Sequence, residues 1–249
     1  KASLAKGDTL IDLTGGWGVD CAFMAPNFTK VLYFEQQQSL CEIAKYNFRQ
    51  LGLTHIETQA KESTKQIASF PTASCIYIDP SRRDTHGKKT VLLRDCTPNI
   101  ADIAPALLEK TEGLLVKLSP MLDISQAIKE LPQTTEVHIV SVDNECKELL
   151  FMLRPKAVIE RKIHCVNLKK NGTTEVFAYN ESEENSANSH YTEKVENYIY
   201  EPNVSILKAG AFKITGERYG LNKLHPNSHL YTSSNLYEDF QGRIFYCER

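Results

Sequence analysis

Short apolar runs alternate with stretches of helical period along most of the chain. TLIDLT (9–14), bounded by Lys-Gly-Asp and Gly-Gly, predicts a buried strand, and residues 19–26 then open a helix. KVLYFE (30–35) predicts a second strand. In SLCEIAKYNFRQLG (39–52), Leu40, Ile43, Ala44, Phe48 and Leu51 recur at helical spacing, and Gly52 is placed to end that helix. HIETQA (55–60), SCIYID (74–79), GLLVKLS (113–119) and TEVHIVSV (135–142) predict further strands, with helices at IADIAPALLEK (100–110) and ISQAIKELP (124–132). Strands alternating with helices, with no hairpin signal between them, predict an α/β fold built on a parallel sheet with right-handed crossovers. Beyond it, CKELLFMLR (146–154) has the look of a helix. AVIERKIHCVNLK (157–169) and TTEVFAYN (173–180) form two β-rich runs joined by a Lys-Asn-Gly turn. ESEENSANSH (181–190) carries three glutamates and almost nothing apolar, which predicts a linker and a domain boundary. From YTEKV to the end the chain has apolar and aromatic residues of its own, enough for a small second module. No internal repeat is visible.

Composition narrows the class. The chain has 249 residues, 41% hydrophobic and 24% charged, as expected of a globular protein with a sizeable core. A net charge of −2 supplies no general basic field, so contact with nucleic acid has to rest on local patches. No apolar run reaches the roughly 18 residues of a membrane-spanning helix, and the start is not a signal peptide. The seven cysteines are scattered and form no C-x-x-C, which indicates neither a disulfide framework nor a zinc site and suits a reducing cytoplasm. The chain opens on Lys1 and closes on GRIFYCER, an unfinished strand, so a piece of a longer protein is expected.

The most informative stretch is IDLTGGWGVD (11–20). A glycine turn between a first strand and a helix is where doubly wound sheets bind ligands. The dinucleotide pattern G-x-G-x-x-G is half present: Gly16 and Gly18 supply two glycines, but Cys21 stands at the third position. A phosphate-binding P-loop is excluded, because no Lys-Ser or Lys-Thr follows. Asp20, in or just before the first helical turn, would repel a pyrophosphate seated there, and Asp12 adds a second acid at the strand end. S-adenosylmethionine has no phosphate and carries a sulfonium and an ammonium, so the same acids favour it. Glu35 falls at the end of the second strand, where an acid accepts hydrogen bonds from ribose hydroxyls. Each residue also has a plainer role open to it: Gly15 in the sterics of the turn, Asp20 as a helix cap, Glu35 as a solvated strand end.

These residues resemble the class I S-adenosylmethionine-dependent methyltransferases. Their first motif, an acid at the strand end followed by G-x-G, corresponds to Asp12, Gly16 and Gly18, and their second-strand acid to Glu35. The resemblance covers about residues 1–180. It implies a Rossmann-like, mostly parallel seven-stranded sheet with an antiparallel last strand, and with the other residues of the glycine turn the candidate cofactor site is Asp12, Thr14, Gly15, Gly16, Gly18, Asp20 and Glu35. Where the family often holds the adenine amine with an acid, this chain has Gln59-Ala60-Lys61-Glu62.

IYIDPSRRD (76–84) puts Asp79-Pro80 at the end of the fourth predicted strand, resembling the fourth motif of nucleic-acid methyltransferases. Proline removes a donor and fixes the backbone, and Asp79 can accept a hydrogen bond from an amine and help remove its proton. Ser81 replaces the stacking aromatic residue of adenine-N6 enzymes. Asp79, Pro80 and Arg82 are the candidate catalytic residues, the plainer reading being that Asp79-Pro80 only ends the strand. Arg82, Arg83, Lys88, Lys89 and Arg94 form the one clear basic cluster, suited to RNA phosphates or to a solvated loop, and Arg82 or Arg83 can also pair with Asp79. The next strand ends at Ser119-Pro120 with no cysteine nucleophile, and Cys96 is expected in the core. Direct transfer to a nitrogen or oxygen is therefore favoured over pyrimidine carbon-5 chemistry.

YEPN (200–203), Ala209-Gly210 and LHPN (224–227) resemble the THUMP-like C-terminal module of a group of bacterial methyltransferases. This implies three parts: a cofactor-binding domain at 1–155, a ferredoxin-like hairpin region at 156–185 and a THUMP-like α+β module at 191–249. His225 and His229 are four apart but lack a further ligand, so no metal is expected. The combined reading is a cytoplasmic S-adenosylmethionine-dependent methyltransferase acting on RNA. A non-catalytic RNA- or protein-binding module on the same scaffold, and a small-molecule methyltransferase, stand as alternatives.

Overall fold

The computed structural model describes residues 1–82, 92–156 and 158–248, with Arg82 described by its backbone alone. The chain divides into two compact units, Lys1–Thr135 with Leu150–Val158, and Glu136–Leu149 with Ile159–Arg249. Its first elements are β1 (Gly7–Asp12), α1 (Val19–Met24), β2 (Phe28–Phe34), α2 (Gln38–Gln50), β3 (Ile56–Gln59) and β4 (Cys75–Ile78). A two-residue ribbon, β5 (Ser81–Arg82) with β6 (Cys96–Thr97), precedes α3 (Ile100–Leu108), β7 (Leu114–Leu118) and α4 (Ile124–Glu130). A hairpin follows, β8 (Thr134–Val142) and β9 (Glu145–Leu153), whose strands contribute residues to both units.

In the first unit the strand order is β9-β7-β4-β1-β2-β3, with β7, β4, β1, β2 and β3 parallel. Successive residues of β1, β2, β4 and β7 are buried, among them Leu10, Ile11, Ile76, Tyr77, Ile78, Leu114, Leu115 and Val116. That is the signature of a sheet covered on both faces, and it puts the carboxyl ends of β1, β2 and β4 side by side. The α2 helix packs on it through Cys41, Ala44 and Phe48. Ile43 and Leu51, expected on the buried stripe, are exposed at 41% and 63%. On the buried face Phe48 sits edge-on against Tyr33, ring centres 5.2 Å apart.

The stretch 146–154, expected to be helical, is β9. Asp143 and Asn144 both adopt positive φ, 49° and 62°, making the tight turn that reverses β8 into β9. Asn and Asp tolerate this conformation, and the apolar run after them is then buried without interruption from Leu149 to Leu153.

The second unit pairs β10 (Lys162–Leu168) in parallel with β8 and in antiparallel with β11 (Thr174–Asn180), through the expected Lys-Asn-Gly turn with Gly172 at φ 84°. Instead of a linker, residues after 180 form a short helix, α5 (Glu181–Ser186). The acids that suggested an open segment are used as partners. Glu183 Oε2 accepts the Asn180 N–H at 2.6 Å, Glu181 pairs with Arg161, and acids in a first turn suit the positive end of a helix. Next come β12 (Tyr198–Pro202), α6 (Val204–Ala209), α7 (Phe212–Tyr219), β13 (Asn222–Lys223), β14 (Tyr231–Ser233) and β15 (Gly242–Tyr246). Their four-stranded antiparallel sheet, ordered β13-β14-β12-β15, encloses Tyr200, Leu221, Tyr231 and Phe240. Glu184 reaches the start of α7, where it accepts the Ile214 N–H at 2.8 Å. Among the described residues, no helix is long and apolar enough to cross a membrane.

Phe151 in β9 is fully buried. Phe151→Ala is expected to cost about 3–5 kcal/mol of unfolding free energy, measured in urea, as for other large-to-small core changes.

Candidate active site

The turn after β1 is tied to both neighbouring strands. Leu13 N–H donates to Tyr77 O at 2.9 Å on the β4 side, and Gly15 N–H to Phe34 O at 2.8 Å on the β2 side. The Thr14 hydroxyl accepts the Asp79 N–H at 2.7 Å, locking the end of β4 to the turn. Tyr33 OH donates to Gly16 O at 2.6 Å, and Ser63 Oγ to Leu13 O at 2.8 Å.

The three glycines do different work. A Cβ on Gly15 would overlap the Tyr33 ring, and one on Gly18 would lie 2.6 Å from Phe48, so both are required by close packing. Gly16 has a left-handed φ of 56°, and the nearest atom to a Cβ there is Thr14 O at 3.9 Å. A side chain at Gly16 would fill open space.

That space belongs to a cavity of about 360 Å³, lined among others by Gly16, Trp17, Glu35, Lys61, Asp79 and Ser81. Its volume lies in the range of small-molecule sites, roughly 300–1,000 Å³. Thr14 also lines it, as do residues 62–64 and Thr97-Pro98. Glu35, 8% exposed, is held by two backbone N–H groups: Gly16 donates to Oε2 at 2.9 Å and Gln37 to Oε1 at 2.8 Å. Pro80 is buried and directly follows Asp79.

Asp12 is 1% exposed and accepts the Thr14 N–H at 3.1 Å. Burial, reinforced by the nearby Asp20, Asp79 and Glu35 and opposed by the Thr14 N–H, pushes its pKa from 3.8 up to about 7. Asp20 moves the other way. Burial works to raise it, but the Lys1 ammonium at 2.7 Å and the Tyr77 hydroxyl at 2.5 Å hold it below the ordinary value, aided by Lys117. Lys117, on β7, bridges the site with Nζ 2.6 Å from Asp79 Oδ2 and 3.4 Å from Asp20 Oδ2.

Asp12, Thr14, Gly15, Gly16, Gly18, Asp20, Glu35, Asp79 and Pro80 thus cluster at the carboxyl ends of β1, β2 and β4, and of these Thr14, Gly16, Glu35 and Asp79 line the cavity. Arg83, Lys88 and Lys89 lie outside the described residues, as does the Arg82 side chain, and Arg94 is exposed in the single turn Leu93–Asp95. Lys117, Tyr77, Tyr33 and Lys1 were missed in the sequence. Only Lys117 carried a signal there, as a charge inside an otherwise apolar strand.

Three comparisons bear on this architecture. A family model described as a ferredoxin-like domain matches residues 198–240, which lies within the 191–249 module and not in 156–185. The chain is similar to a solved protein from Porphyromonas gingivalis W83 described as a candidate methyltransferase, with 34% identity and a TM-score of 0.86 over 98% of this chain and 62% of that one. The chain therefore spans about three fifths of that protein's length. More distant similarities include an rRNA methylase from Streptococcus thermophilus, at 16% identity and TM-score 0.46, over 61% of this chain and 91% of that one. Another is a candidate methyltransferase from Streptococcus mutans in complex with SAH, at 16% identity and TM-score 0.43, over 60% and 89%. No curated protein sequence matches the chain. The fold is the Rossmann-like fold of methyltransferases, a mostly parallel α/β sheet followed by a small antiparallel module.

The Asp12 carboxyl makes stability depend on pH with a definite sign. Its folded pKa lies above the unfolded one, so the folded state binds the extra proton between about pH 4 and pH 7, and the Asp12 contribution falls as pH rises through that window. Asp12→Asn is therefore expected to be more stable than wild type above pH 7, with the gap closing toward pH 4. Paired thermal melts across that range measure it.

Proposed function

We propose that the chain is the cofactor-binding part of an S-adenosylmethionine-dependent methyltransferase that modifies a nitrogen or oxygen of RNA. One observation carries the cofactor assignment: an open left-handed glycine, Gly16, beside the buried Glu35 carboxylate in a cavity edged by acids. The residues present fit such a guest. The space a Cβ would fill at Gly16 lets a ligand approach the backbone, and Glu35 offers acceptors for ribose hydroxyls. The acids that line the cavity are Glu35, Glu62 and Asp79, and carboxylates there favour a sulfonium and an ammonium over a pyrophosphate. The 34% identity to the Porphyromonas gingivalis protein over nearly all of this chain supports the same reading.

When bound, S-adenosylmethionine supplies a methyl group already activated on sulfur, so the chain's task is mostly positioning. Thr14 fixes the backbone of Asp79, and Lys117 fixes its carboxylate. Asp79 then orients the acceptor group and takes its proton, while Pro80 holds the turn. RNA is proposed as substrate on the sequence cluster Arg82, Arg83, Lys88, Lys89 and Arg94, which follows Asp79 directly and suits phosphate contacts.

Calorimetry with S-adenosylhomocysteine is expected to show binding to wild type, loss of that binding in Gly16→Arg, and no binding of NAD. Undiminished binding in the variant, or a preference for NAD, overturns the cofactor assignment. In methyl transfer to total RNA, followed by nucleoside mass spectrometry, Asp79→Asn is expected to lower kcat by about 10²–10⁴-fold. Its affinity for S-adenosylhomocysteine should stay nearly unchanged.

A further inference from the structure

We propose that Glu136, His138 and His164, in the second unit, form a binding site for a borderline divalent transition-metal ion such as Zn²⁺ or Co²⁺. The site is independent of the methyltransferase reading. Sequence spacing draws attention to His225 and His229, but strand register gathers a different set. On β8, Glu136 and His138 are two apart and share one face of the sheet. On β10, His164 pairs directly with His138 across the parallel ladder. The three side chains offer one donor atom each, all within 4.8 Å of one another. The Nε2 atoms of His138 and His164 stand 3.4 and 3.9 Å from the same oxygen, Glu136 Oε2.

A second, independent observation points to a ligand. His164 Nε2 is buried without a hydrogen-bond partner, a condition that costs free energy unless something fills it. Lys162 pairs with Glu136 across the ladder.

The donor set selects the ion. Two imidazoles and one carboxylate suit Zn²⁺, Co²⁺ or Ni²⁺, whereas Ca²⁺ and Mg²⁺ prefer all-oxygen sites. Three protein ligands leave room for water to complete the coordination. The Glu136 side chain is 35% exposed and His138 only 9%, which gives an ion entry from the carboxylate side. The rings now stack, centres 4.3 Å apart and 7° from parallel. Binding requires them to splay so that the Nε2 lone pairs converge.

Titration of the full chain, freed of metal by a chelator, with Co²⁺ tests the site and separates it from the cysteines. The expected result is one equivalent bound, with visible d–d bands and no thiolate-to-cobalt charge-transfer band. His138→Gln and Glu136→Gln should each weaken Co²⁺ at least about tenfold, with the circular dichroism of wild type and an unaltered affinity for S-adenosylhomocysteine. Should His138→Gln fail to fold, the half-exposed Glu136→Gln still decides the matter. Absence of Co²⁺ binding, binding that the folded variants leave unchanged, or a thiolate band that marks cysteine ligation overturns the proposal.

Discussion

The first unit depends on how it tolerates four carboxylates gathered at the carboxyl ends of its strands. Asp12, Asp20, Glu35 and Asp79 come from three neighbouring strand ends and the helix between them, and burial there is costly for each charge. The cost is met in two ways. Backbone N–H groups solvate Asp12 and Glu35, which has the further effect of fixing the glycine turn in place. Cations neutralise Asp20 and Asp79, and Lys117 serves both at once. The turn is therefore as much an electrostatic construction as a steric one. Its glycines let the chain fold back on Tyr33 and Phe48, and its amides take up charge that would otherwise force the strands apart.

Much of the first unit was legible in the chain because its strands are short apolar runs between strong punctuation. The strands buried on both faces, β1, β2, β4 and β7, show as apolar runs flanked by glycine, proline or polar residues, whereas the outermost strand β3 has no buried residue. The exception is instructive. In the segment that forms β9, ELLFML satisfies a helical period and a buried strand equally well, and what decides between them is the backbone of Asp143 and Asn144. Neither residue is glycine, so the turn leaves only a weak trace. The α5 segment was misread for a similar reason: its glutamates are acceptors for Asn180, Arg161 and the start of α7, partners far away in the chain or invisible to composition.

The candidate site divides along the same line. Asp12, the glycines, Glu35 and Asp79 sit at fixed places relative to strand ends, so a reading of strands finds them. Lys117, Tyr77 and Lys1 act on Asp20 and Asp79 from 19 to 97 positions away in sequence, and only the folded sheet brings them together. His138 and His164 belong to the same class, since their meeting depends on a parallel register that no local pattern announces.

The chain contains a single tryptophan, and Trp17 lies on the wall of the first unit's cavity with 63% of its surface open to solvent. Indole emission from this protein therefore comes from one place, beside the glycine turn, with the eleven tyrosines as its only aromatic background besides phenylalanine. Occupancy of the cavity would dry that ring and shift its spectrum, so the molecule has its own optical gauge of whatever it holds, with no label attached.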